Sequence, residues 1–149
     1  MSHLLLRTLL LLLLSSTTLL SAQHAEVYAS RKGAIEGYDP VAYFREGKAV
    51  PGTSTHTYVW KGATWRFANA ANLEAFKARP EAYAPQYGGY CAYAVANGYT
   101  AQIDPQAWKI VDGKLYLNYN PAVQKDWEAQ QADFIRQADS NWPSVLTKK

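Results

Sequence analysis

The stretch Ala84-Pro85-Gln86-Tyr87-Gly88-Gly89-Tyr90-Cys91-Ala92-Tyr93 decides how the rest of this sequence is read. It holds the single cysteine of the chain, two adjacent glycines that let the backbone turn sharply, and three tyrosines that join an apolar ring to a hydroxyl. A surface loop seldom exposes three such rings, and a regular strand seldom accepts a glycine pair. The stretch therefore reads as a buried turn entering a strand at Tyr90, and residues 92–100 are expected to continue that strand up to a turn at Asn97-Gly98.

Upstream of it, the first residues read as a targeting signal. A short basic start ending in Arg7 precedes the apolar run from Leu9 to Leu14, and a small-residue exit ends at Ala22. A retained anchor needs about 20 apolar residues, and Ser15-Ser16-Thr17-Thr18 interrupts the run well before that. Residues 1–22 are thus expected to be a cleaved signal peptide, which places the mature chain in the periplasm or outside the cell with no stable membrane insertion. Removing them takes away Arg7 and no acid, so the net charge falls from +3 to +2. The Lys and Arg residues are scattered, which excludes a nucleic-acid-binding stripe. One cysteine forms no internal disulfide, so stability has to come from the core, and five tryptophans, eleven tyrosines and four phenylalanines make that core aromatic.

Residues 23–33 are polar and unpatterned and read as a flexible leader, with the domain proper spanning 34–146. Asp39 is placed to cap a helical turn begun by Pro40 and running through Val41 to Phe44. Thr57-Tyr58-Val59-Trp60-Lys61 and Thr64-Trp65-Arg66-Phe67, separated by Gly62-Ala63, read as a hairpin with His56 at its mouth. Asn69 caps a helix reaching about Ala78, and Pro80-Glu81-Ala82-Tyr83 forms a further helical turn. Asp104-Pro105 opens a turn. Asp112-Gly113 joins two apolar runs in the strongest hairpin signal of the chain. Asn120 and Pro121 begin one long helix with an apolar stripe of Val123, Trp127, Gln130, Phe134 and Ala138, ended by Asn141-Trp142-Pro143, with Trp142 folding back onto the core. The order predicts an α+β fold: a small antiparallel sheet with helices packed on one face.

Residues 58–93 resemble the YHS domain. The resemblance rests on the aromatic hairpin, on Asn72-Leu73-Glu74-Ala75-Phe76, and on Arg79-Pro80-Glu81-Ala82-Tyr83 just ahead of Pro85-Gln86-Tyr87-Gly88-Gly89-Tyr90-Cys91. The flanks, from Gly37-Tyr38-Asp39-Pro40 and from Gly113-Lys114-Leu115-Tyr116, look like the exported single-domain branch of that family. The resemblance implies metal binding. Metal-associated members place paired cysteines before the hairpin and another after its second strand; here no cysteine precedes Tyr58, and Ala68-Asn69-Ala70 follows Phe67.

Two readings follow. In the first, the protein is a non-catalytic accessory protein binding copper or zinc through Cys91, with His56 and Asp39 as partners and Asp104 and His24 as further donors. His24 beside a new N-terminal amine is a second way of taking Cu(II). In the alternative, Cys91 is structural and the protein is a small-molecule or protein-binding module, with Tyr38, Tyr87 and Tyr90 near the bound molecule. An enzyme ranks behind both: Cys91 lacks a visible base other than His56, and no phosphate loop, zinc helix pair or serine elbow occurs. The sequence names no protein partner.

Overall fold

The computed structural model describes residues 23–148, and the expected signal peptide lies outside the described residues. Among the described residues, three antiparallel strand pairs and six α-helices give the α+β class. The pairing is divided among separate ladders rather than gathered into one sheet: β1 (Ala29–Ser30) with β2 (Gly33–Ala34), β3 (Thr53–Trp60) with β4 (Ala63–Phe67), and β5 (Asp104–Val111) with β6 (Lys114–Asn118).

The two long hairpins close as their sequences require. Lys61 and Gly62 have φ of 49° and 73°, and Asp112 and Gly113 have 51° and 74°. Two successive left-handed residues make the turn whose twist matches paired strands, and glycine in the second place lowers its cost. The first turn is therefore Lys61-Gly62, one residue earlier than the expected Gly62-Ala63. His56 sits inside β3 rather than at the hairpin mouth.

Helix starts follow the capping residues. Asp39 accepts from the amides of Val41 and Ala42 at the head of α1 (Pro40–Arg45). Asn69 accepts from Asn72 N–H to begin α2 (Ala70–Ala78), and α3 (Pro80–Tyr83) follows after Arg79. The expected strand after the central turn is a helix instead: α4 covers Ala92–Ala96. Alanines at 92, 94 and 96 favour helix, and this outweighs the strand preference of Tyr93 and Val95. Asn120 caps α5 (Pro121–Ala129) as expected. The single long helix is broken at Gln130, where φ −136° and ψ 41° leave the helical region before α6 (Gln131–Asn141).

β6 divides the interior. Its side chains alternate, so that Leu115 and Leu117 enter a cluster with Trp65, Phe67, Phe76 and Cys91, while Tyr116 enters a second with Tyr87, Tyr90, Val95, Trp127 and Leu146. α2 covers the β3–β4 pair and α5 the β5–β6 pair. Tyr43 of α1 ties the first half to the second by donating its hydroxyl to Pro105 C=O at 2.9 Å and meeting the Trp108 ring edge-on.

The segment expected to be a flexible leader makes specific contacts. His24 N–H donates to Leu146 C=O at 2.8 Å and Tyr28 N–H to Gly88 C=O at 2.9 Å, Val27 is buried, and the Tyr90 hydroxyl donates to Ala25 C=O at 2.7 Å. Gly88 makes the close approach feasible. Its φ is +62°, and a Cβ there would lie 1.9 Å from the Glu26 carbonyl oxygen.

Candidate functional site: an aromatic cleft beside a sealed cysteine

The central stretch folds as a 3-10 turn over Gln86–Gly89 followed by Tyr90 and Cys91 in extended backbone, and its two ends face different surroundings. Tyr87 takes φ 59° ahead of two left-handed glycines, a conformation a bulky side chain adopts at a cost unless its surroundings fix it.

Cys91 faces inward. It is 1% exposed, lies in the cluster with Trp65 and Leu117, and donates its thiol to Asn118 Oδ1 at 3.7 Å. The same oxygen accepts Tyr93 N–H at 3.1 Å, so the Asn118 amide is oriented by the α4 backbone, and its Nδ2 is buried with no partner among the described residues. Burial raises the thiol pKa above its ordinary value, against a smaller lowering from the amides of Ala94, Tyr119 and Tyr93. A protonated, enclosed sulfur is a poor nucleophile and a poor metal ligand.

Of the other expected donors, Asp39 is the one whose side chain is fully committed. Asp39 is fully buried, and both its oxygens are saturated: Oδ1 by Val41 and Ala42 N–H at 2.8 and 3.3 Å, Oδ2 by Ala68 N–H and Asn72 Nδ2, each at 2.8 Å. His56 Nδ1 lies 3.1 and 3.3 Å from the hydroxyls of Thr53 and Thr55 on the outer part of β3. Asp104 Oδ1 accepts Gln106 N–H at 2.9 Å within its own turn. His24 has its backbone N–H engaged by Leu146. Among the described residues no group of three or more His, Cys, Asp or Glu side chains is placed to hold a metal ion. A soft divalent or monovalent metal needs several converging sulfur or nitrogen donors, and Cys91, His56 and Asp39 do not supply such a set.

The tyrosines separate as well. Tyr38 pairs with Pro51 in an isolated bridge. Tyr90 is buried against Tyr28 and Trp142. Tyr87 alone of the three lines a cleft of about 530 Å³.

That cleft opens at the seam between the two apolar clusters. Trp60 and Trp65 supply one wall; Tyr87 and Trp142 supply the other. Lys61 at the β3–β4 turn pairs with Glu26 at 3.2 Å and lays its ammonium over the Trp60 ring at 4.7 Å. Tyr87 donates its hydroxyl to Asp139 Oδ1 at 2.8 Å, and its pKa is driven far above the usual tyrosine value by burial first and by Asp139 second. Lys114 at the start of β6, Glu81 of α3 and Gln86 add to the polar lining. The volume falls within the range of small-molecule sites, which pair aromatic walls with a few convergent polar groups. Trp142 and Asp139 escape a reading of sequence neighbours, because only the return of α6 onto the central turn brings them to Trp60; the one local signal was Trp142 at a helix end before Pro143.

Among the described residues no helix is long and apolar enough to cross a membrane. Neither curated proteins nor solved structures give a significant match to the chain. The family model for the YHS domain matches residues 41–87, from α1 through Tyr87 and ending four residues before Cys91. The aromatic hairpin, α2, α3 and the first half of the central turn therefore form the matched unit, and it is these residues that match a YHS domain.

Proposed function

We propose that this protein is an exported, non-catalytic YHS-domain module that holds a small ligand in the cleft between Trp60 and Trp142, with Cys91 serving the core. One observation carries the reading: the central stretch offers Tyr87 to a walled, polar cavity of about 530 Å³ and turns Cys91 away from it into enclosed apolar packing. Export is supported by the basic, apolar and small-residue order of residues 1–22. Copper or zinc accessory binding, which the family resemblance implies, finds no converging donor set in Cys91, His56 and Asp39.

The test is a screen of the purified protein against a panel of small polar and aromatic molecules, read by ligand-observed NMR and by tryptophan fluorescence. Hits that lose most of their affinity in Trp142→Ala and keep it in Cys91→Ser are expected. One-to-one Cu(I) or Zn(II) binding that disappears in Cys91→Ser would overturn the proposal in favour of the metal reading.

A further inference from the structure

Resting on the binding-module reading, we infer that the cleft takes a small zwitterion, an organic ammonium that also carries a carboxylate. The charges lining the cavity are not equivalent. Lys61 and Glu26 satisfy each other at 3.2 Å. Asp139 gives Oδ1 to the Tyr87 hydroxyl, whereas its Oδ2 accepts no hydrogen bond among the described residues. Lys114 and Glu81 form no ion pair among the described residues. The cleft therefore presents one oriented, half-used carboxylate in Asp139, a second, unpaired carboxylate in Glu81 and one uncommitted ammonium in Lys114.

Asp139, in the last turn of α6, and Trp142, the extended residue that ends the helix, both line the cleft. A carboxylate beside an indole attracts an ammonium in two ways, by direct charge and by the negative face of the ring. Trp60 already shows the affinity of these rings for cations, since the Lys61 ammonium rests over it at 4.7 Å. The Tyr87 hydroxyl bond fixes the Asp139 carboxylate before any ligand arrives, so little ordering remains to be done on binding. Lys114, the first residue of β6, supplies the opposite charge for a ligand carboxylate through a charge-assisted hydrogen bond. Glu81 adds negative potential at the α3 side, which favours entry of the cationic end. A simple anion would meet Lys114 but also the repulsion of Asp139 and Glu81, and a simple cation would leave Lys114 unmatched.

Three probes separate the contributions: 4-(trimethylammonio)butanoate carries both charges, choline the cation only, and butyrate the anion only. Calorimetric titration is expected to give at least tenfold tighter binding of the zwitterion than of choline, and no measurable binding of butyrate. Asp139→Asn should weaken zwitterion and choline alike by about tenfold, and Lys114→Met should weaken the zwitterion by about tenfold while leaving choline unchanged, an effect of one full charge contact. Both positions are exposed, so the variants are expected to fold, and unchanged thermal unfolding checks this. Equal affinity for zwitterion and choline, or insensitivity to both substitutions, overturns the inference. Failure of all three probes while a neutral molecule from the fragment panel perturbs Trp142 overturns the ligand class and spares the cleft; silence of Trp142 toward every molecule defeats both.

Discussion

Tyr87 and Cys91 lie four residues apart and meet opposite environments. Tyr87 turns its hydroxyl to a carboxylate at the edge of a cavity, while Cys91 turns its sulfur to a buried amide. The left-handed run from Tyr87 through Gly89 reverses the chain between them, so the residue type with the richer chemistry ends in the core and the blander aromatic ends at the opening. Reactive atoms make a site only where solvent, ligand and a second functional group can reach them. Asp39 repeats the lesson: a carboxylate with the composition of a ligand is consumed by four hydrogen bonds that join α1, the residue after β4 and α2.

The contrast between architecture and opening is broken most severely at Asp39. Asp39→Ala leaves Ala68 N–H and the Asn72 amide unpaired in the interior, and a loss of about 4 kcal/mol in chemical denaturation is expected, at about 1–3 kcal/mol per orphaned buried group. Gly88→Ala should cost about 3 kcal/mol, because a left-handed backbone and a clash with the Glu26 carbonyl act together. It should also lift residues 24–28 off the turn, which hydrogen exchange at the Tyr28 amide reads directly.

Cys91→Ser sharpens the comparison at a smaller scale. A hydroxyl replaces a thiol among apolar neighbours while keeping Asn118 Oδ1 as acceptor, so a loss of about 1–2 kcal/mol is expected, with cleft binding unchanged. The pH dependence of the wild-type protein has a defined sign. The folded-state thiol pKa is raised by burial, so the unfolded chain deprotonates first, from about 8.5 upward. The thiol's contribution is whole below that pH and falls as pH rises through the folded value; thermal unfolding of wild type should decline more steeply across this range than that of Cys91→Ser. Smallest of all, Lys61→Ala removes an exposed pair with Glu26 and should change stability by about 0.5 kcal/mol or less.

Much of the framework was legible in the sequence because it depends on residues with local backbone preferences. Asn69, Asn120 and Asp39 cap the helices they were expected to cap, and Asp112-Gly113 turns the hairpin it was expected to turn. Reading failed where long-range packing decides. Residues 92–96 carry both strand-forming tyrosine and valine and helix-forming alanine, and the bond from Tyr93 N–H to Asn118 Oδ1 adds a long-range contact on the side of the helix. The break at Gln130 lies within an uninterrupted helical pattern and has no glycine or proline to announce it. At the site, Tyr87 was legible from its aromatic company, whereas Asp139, Trp142 and Lys114 reach it from distant parts of the chain.

The most direct measurement is a two-dimensional NMR titration that follows, in one spectrum, the indole N–H signals of Trp60 and Trp142 and the backbone amides of Cys91 and Asn118 as a cleft-binding molecule is added. The indole signals are expected to shift in a saturable way while the Cys91 and Asn118 amides stay in place. Saturable shifts at Cys91 and Asn118 with the cleft indoles unmoved would contradict the assignment of function to the cleft and return it to the cysteine.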